Sequence, residues 1–298
     1  MPYRFHGEER VLDAAARQGV PGRFATLPEG VTHYELGGPP DAQAVVLIHG
    51  FSVPYYVWDP TFAGLTAAGL RVLRFDLFGR GYSDRPDTEY NLDLFRRQLL
   101  GLLDALALTQ PVDVVGLSMG GPIAVTIADR HPERVRRLVL IDPAGMPFPT
   151  SPLKDVLRLP WLGERLFDLL FQSQMVNSQG NDFVHPERFT HYRSMYLPQT
   201  HFVGFRAAIL STLRSDVLRE QSAVFYRVGE QKRPTLLFWG RLDKTIPFPV
   251  HEKVLAAMPH AEFHAIDDAG HVPHYEQPEV VNPILVEFLK RQQRPGCS

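Results

Sequence analysis

The stretch from Val112 to Ala128, VDVVGLSMGGPIAVTIA, decides the architecture. Val112 to Leu117 is an apolar, valine-rich run of strand length, and Pro122 to Ala128 reads as a buried helical run. Between them stands Gly116-Leu117-Ser118-Met119-Gly120-Gly121. A Gly-x-Ser-x-Gly at a strand-to-helix junction makes a tight turn. Its small flanking residues relieve crowding while the serine hydroxyl is thrust above the sheet edge. The competing reading is a glycine-rich turn with an incidental serine, because so short a motif arises by chance. The strand before it and the helix after it favour a nucleophile elbow, with Ser118 as the nucleophile.

Working outward, short apolar runs alternate with helical stretches from about residue 23 to 142, the pattern of a mostly parallel sheet covered on both faces. Gly22–Pro28 and Val31–Leu36 form a hairpin around Glu29-Gly30. Ala44–His49, Leu70–Asp76, Val112–Leu117 and Arg137–Asp142 are the buried strands that follow. Asn91–Leu108 places Leu92, Phe95, Leu99, Leu102, Leu103 and Leu106 on one helical face and carries no chemistry. From Pro143 to Arg233 the alternation stops, and the chain turns helical and rich in aromatics. A segment of that length is no bare loop in a compact domain, so residues 143–233 are expected to be an inserted helical cap. Strands resume at Thr235–Trp239 and Glu262–Ile266, and a helix from Pro278 closes the chain. The predicted fold is α/β, with residues 1–142 and 234–298 as the core.

A serine nucleophile requires a base. His271, in Asp267-Asp268-Ala269-Gly270-His271-Val272-Pro273, follows the last predicted strand, so its loop opens at the same sheet edge as Ser118. His274 is the rival, and it suits a histidine packed at the start of the last helix. His264 falls inside a strand pattern, and His131 at a surface helix end. The base in turn requires an acid. Asp243 follows Thr235–Trp239 at the same strand end, where it can accept a hydrogen bond from the far nitrogen of His271 and fix its tautomer. Asp142, which also ends a strand, is the competing acid.

Composition narrows the function. With 44% hydrophobic and 21% charged residues the chain can bury a substantial core, which excludes disordered and fibrous classes. Lys+Arg 31 against Asp+Glu 33 leaves a formal charge of -2, which offers no electrostatic surface to nucleic acid or anionic lipid. The expected partner is a small molecule, with no stable membrane association. The one cysteine, Cys297, can staple nothing within the chain and joins no metal cluster. A charged N-terminus without an apolar signal core reads as cytoplasmic.

The chain is identified by these motifs as a member of the α/β-hydrolase superfamily, from the hairpin at residue 22 to the C-terminal helix, with the order Ser118, Asp243, His271 expected of that fold. His49-Gly50-Phe51-Ser52 after the third strand resembles the family's His-Gly-x oxyanion loop. The resemblance implies that the backbone N–H groups of Phe51 and Met119 hold the oxyanion of the tetrahedral intermediate. Asp76-Leu77-Phe78-Gly79-Arg80-Gly81-Tyr82-Ser83-Asp84 resembles a further family loop, taken as structural.

Within the superfamily, serine at position 118 argues against haloalkane dehalogenases and epoxide hydrolases, which place an aspartate there. Leu117-Ser118-Met119 departs from proline iminopeptidases, which usually show a tryptophan beside the nucleophile. Carbon–carbon hydrolases of aromatic degradation share triad and cap but commonly carry a tryptophan after the histidine, where this chain has Val272. They are the enzymatic runner-up. The resemblance comes nearest to serine carboxylesterases and monoacylglycerol-type lipases, and implies ester hydrolysis through an acyl-enzyme with no metal or organic cofactor. Short to medium apolar acyl groups are expected, since the insertion shows no long exposed apolar run suited to a lipid surface. A slow-turnover small-molecule receptor on the same fold is the reading from a different class.

Overall fold

Eight strands pair into one sheet in the computed structural model, which describes residues 5–149, 156–171 and 175–291. In chain order they are β1 (Arg23–Leu27), β2 (Gly30–Gly37), β3 (Ala44–Ile48), β4 (Arg71–Phe75), β5 (Val112–Leu117), β6 (Val135–Ile141), β7 (Thr235–Gly240) and β8 (Glu262–Ile266). They lie side by side as β1-β2-β4-β3-β5-β6-β7-β8. The β1–β2 and β2–β4 pairs are antiparallel, and every pair from β4 to β8 is parallel. The expected strands are all present, and β5 and β8 have the predicted ends.

Alternation along the strands explains the two cores. In β3, Val46 and Ile48 join one hydrophobic cluster while Val45 and Leu47 join the other, because successive side chains point to opposite faces. Helices α2 (Leu92–Ala105) and α3 (Gly120–Arg130) cover the first face, and α1 (Asp59–Ala67) with α10 (Pro278–Lys290) covers the second. Asn91 caps α2 by accepting the Leu94 N–H, which sets its start one residue inside the predicted span. Helix α1 carries no strong apolar stripe in sequence. Its second residue is Pro60, suited to a first helical turn.

Between β6 and β7 run α4 (Leu162–Phe171), α5 (Thr190–Thr200), α6 (Phe205–Arg214) and α7 (Ser222–Glu230). Helix α7 buries Phe225 and Val228 in the same cluster as α2 and α3, beside α8 (His251–Ala257). The aromatics of α4 to α6 mostly pack on one another: Phe171 meets Phe167 and Phe205 edge-on at 5.8 and 6.1 Å. Trp161, just before α4, stands 73% exposed between the exposed Leu159 and Leu162 in sequence. These exposed apolar side chains form a short stretch, where the expectation was that no long exposed apolar run would stand on the insertion: periodicity identifies an apolar stripe but does not say which stripe finds a partner. No helix among the described residues is long and apolar enough to cross a membrane.

Candidate active site

Ser118 sits where β5 turns into α3, with φ +53° in the left-handed region, a conformation that costs free energy in any non-glycine residue. Its neighbours hold it there. The Ser118 N–H donates to Ile141 O at 3.0 Å, and its carbonyl accepts from Gly121 at 2.9 Å and Ala144 at 3.0 Å. The flanking glycines are steric requirements, since a Cβ on Gly120 would fall 2.3 Å from Ile48 O and one on Gly116 2.4 Å from Gly120 O.

His271 lies on the loop between β8 and the one-turn helix α9 (Pro273–Glu276). Its Nδ1 donates to Asp243 Oδ2 at 2.7 Å. Asp243, past the end of β7, is itself oriented, because its Oδ1 accepts the N–H groups of Thr245 at 2.7 Å and Ile246 at 3.0 Å. Burial lowers the pKa of the imidazole, but the Asp243 carboxylate and the nearby Asp182 outweigh it and leave His271 above its ordinary value. Ser118 and His271 line one cavity of about 420 Å³, together with Phe51. Met119, fully buried, begins the turn into α3.

The rival residues have other partners, although a carboxylate oxygen of Asp142 lies within 4.8 Å of both Asp243 and His271. Asp142 Oδ1 accepts the Gly240 N–H at 2.9 Å behind the His271–Asp243 pair. Burial and the charge of Asp243 push its carboxyl well above the usual range. His274 lies 3.1 Å from Val57 O and 4.4 Å from the Trp58 ring. Burial takes it down to about 3, so it stays neutral. His264 pairs with Glu262 in β8, and His131 with Arg96 at the end of α3.

The Phe51 loop is tied to the insertion. His49 Nε2 accepts the Leu77 N–H at 2.9 Å while its Nδ1 donates to Gly50 O at 2.8 Å. That arrangement needs a neutral ring, and burial lowers His49 to about 4. The fully buried Arg80 donates through Nε to Phe51 O at 2.9 Å and through Nη2 to Thr212 of α6 at 2.8 Å. Gln199 of α5 donates to Ser52 O at 2.9 Å and accepts from Gly81 N–H at 2.8 Å. Sequence reading assigned the Asp76–Asp84 loop to structure alone; its Arg80 also positions Phe51.

Sequence reading also missed the wall of the cavity contributed by the insertion: Gln179, Asn181, Asp182 and Tyr192. No motif marks them. The nearest signal is the short polar run Asn177–Asp182 interrupting an aromatic segment. Asp182 is held from both sides, its carbonyl accepting the His271 N–H at 2.8 Å and its Oδ1 the Thr245 hydroxyl at 3.0 Å.

The sequence matches the alpha/beta hydrolase fold family over residues 43–278. It is 29% identical over 280 residues to a 2-hydroxy-6-oxononadienedioate/2-hydroxy-6-oxononatrienedioate hydrolase of Cupriavidus pinatubonensis, covering 90% of this chain and 94% of the relative. It is 32% identical over 238 residues to a 2-hydroxymuconate semialdehyde hydrolase of Pseudomonas sp., covering 78% and 81%. Among solved structures it superposes on a thermophilic esterase from Thermogutta terrifontis with a TM-score of 0.74 at 24% identity, covering 90% of this chain and 98% of the other. The last similarity is one of fold. The two sequence relatives stand nearer to the carbon–carbon hydrolases than to the esterases that the motifs suggested.

Proposed function

Because this chain belongs to the alpha/beta hydrolase fold family, we propose that it is a serine hydrolase that cleaves carboxylic esters whose acyl part bears no carboxylate. Ser118 Oγ attacks the carbonyl carbon, and His271 takes its proton and then delivers it to the departing alkoxide. Asp243 orients His271 and stabilises the imidazolium, and the Phe51 and Met119 N–H groups hold the oxyanion. Water attacks the acyl-enzyme in the second half of the cycle. Within the insertion at residues 143–233, α4 to α6 act as a cap over a core of residues 1–142 and 234–298, and α7 packs with the core helices.

One observation carries the choice of substrate. Among the described residues lining the cavity there is no lysine or arginine, and the acidic side chain there is Asp182. A carboxylate enclosed without a cation is costly. The nonadienedioate named for the first relative carries two.

A second reading is carbon–carbon cleavage of a vinylogous diketone, favoured by what those two relatives are named for. It asks more of the site, because the leaving group is a carbanion that must be stabilised and protonated at carbon. An ester needs only the proton that His271 already holds. The position after the histidine, Val272, lines the cavity as a small apolar group.

The two readings separate when kcat/KM is measured side by side for p-nitrophenyl butyrate and a 2-hydroxy-6-oxo-dienoate. The ester is expected to lead by about a hundredfold or more, and the reverse order would transfer the assignment to the second reading. Along p-nitrophenyl esters from acetate to palmitate, each methylene that fits should add about 0.8 kcal/mol, about fourfold in kcat/KM. The maximum is expected between butyrate and octanoate, since the cavity holds about 420 Å³. A maximum at palmitate would overturn this.

The pH dependence follows from His271. Activity needs the neutral ring, so kcat/KM should rise with pH through a single ionisation. Because Asp243 and Asp182 raise His271 above 6.5, the midpoint should lie above that value. A midpoint below 6, with chemistry rate-limiting, would contradict this environment for the base.

A further inference from the structure

The cavity has two unlike walls. Val57, Leu117, Met175 and Tyr192 supply apolar surface, while Gln179 and Asp182 face it from the insertion. Asp182 is the feature the proposed reaction does not use. Its carbonyl accepts the His271 N–H, and its Oδ1 accepts the Thr245 hydroxyl. Two residues on, the Val184 N–H bonds Glu276 Oε1 at 2.7 Å, and the other oxygen of Glu276 takes the Gly270 N–H. Gly270 leaves no room for a side chain, since a Cβ there would lie 2.4 Å from the Asp182 carbonyl oxygen. The carboxylate is therefore held in place by the same loops that hold the base. Its Oδ2 has no hydrogen-bond partner among the described residues, and no lysine or arginine lines the cavity opposite it.

Tying the insertion to the core requires the carbonyl and one side-chain oxygen, both of which an asparagine would supply. A second carboxyl oxygen without a partner among the described residues, on a residue that lines the cavity, is surplus to that task. An acidic group with an open acceptor, fixed before any ligand arrives, favours an ammonium or N–H donor and disfavours a carboxylate. We propose that Asp182 is the specificity-determining residue of this cavity: Oδ2 receives an ammonium or other N–H-bearing group of the substrate, while the apolar wall takes its hydrocarbon part. The substrate class is thereby narrowed to amino- or ammonium-bearing acyl compounds. This rests on the reading of the Ser118–His271 cavity as the substrate site.

The test measures occupancy of that cavity independently of which bond is cleaved. A small fluorophosphonate is allowed to label Ser118 in the presence of hexylamine, hexanol or hexanoate, three competitors of matched length. Ligand-observed NMR titration of the same three compounds gives the ratio without labelling. In the wild type, hexylammonium should protect at a concentration about tenfold or more below that of hexanoate. In Asp182→Asn, which keeps the Thr245 and His271 bonds, the two should come within about threefold, with hexanol unchanged. Equal protection by hexanoate in the wild type, or a ratio that survives the substitution, would overturn the proposal. Should the ratio appear in an enzyme that cleaves no ester, the ester reading fails and the role of Asp182 stands.

Discussion

Ser118→Ala is expected to lower kcat for an activated ester by about 10⁴- to 10⁶-fold, the range found when a nucleophilic serine is removed from an otherwise intact site. The substitution deletes a single oxygen. Alanine tolerates φ +53° about as well as serine does, and the three backbone hydrogen bonds at this position remain. The loss therefore falls on chemistry and not on folding. Thermal unfolding should shift by only a few degrees, about what a change of 1 kcal/mol or less produces. Residual catalysis above the uncatalysed rate would come from the oxyanion donors and from binding. A variant that keeps more than about a tenth of the wild-type rate would remove Ser118 from the mechanism.

Asp243→Asn should cost about 10⁴-fold in kcat with the fold intact. The geometry fixes which way the new amide faces. Oδ1 of residue 243 receives the N–H groups of Thr245 and Ile246, so the asparagine oxygen stays there and its NH2 turns toward His271 Nδ1. Nδ1 must then accept, Nε2 carries the proton, and the ring is no longer a base toward Ser118. Asp142→Asn, by contrast, should cost less than about tenfold. Burial and the charge of Asp243 already disfavour the ionised form at 142, and an amide can accept the Gly240 N–H equally well. Reversed magnitudes for the pair would move the acid to the end of β6. Steady-state kinetics of both variants, with circular dichroism to verify folding, make the comparison.

What was legible in the sequence depended on the range of the interactions that encode it. The elbow was readable because a strand, a Gly-x-Ser-x-Gly and a helix are contiguous, and each glycine answers a local collision. Asp243 and His271 were readable because a parallel sheet places all its strand ends at one edge, so position after a strand translates into position in space. Asp182 was not readable. Its place beside His271 is set by how the insertion docks, through Thr245, Gly270 and Glu276, and no periodicity along the segment records that contact. Arg80 was hidden differently, inside a loop whose glycines and aspartates advertise turns while its guanidinium bridges Phe51 and Thr212. Trp161 shows the converse, an aromatic that counted toward a packed insertion in the sequence and stands exposed in the structure.

Whether Ser118 is a nucleophile activated by His271 is decided by the stoichiometry and location of fluorophosphonate labelling, followed by intact and peptide mass spectrometry across a pH series. About one equivalent of label per chain is expected, located on the peptide carrying Ser118, at a rate that rises with pH as His271 loses its proton and collapses in His271→Ala. Label on another residue, or full ester turnover by a protein whose Ser118 takes no label, would contradict that role.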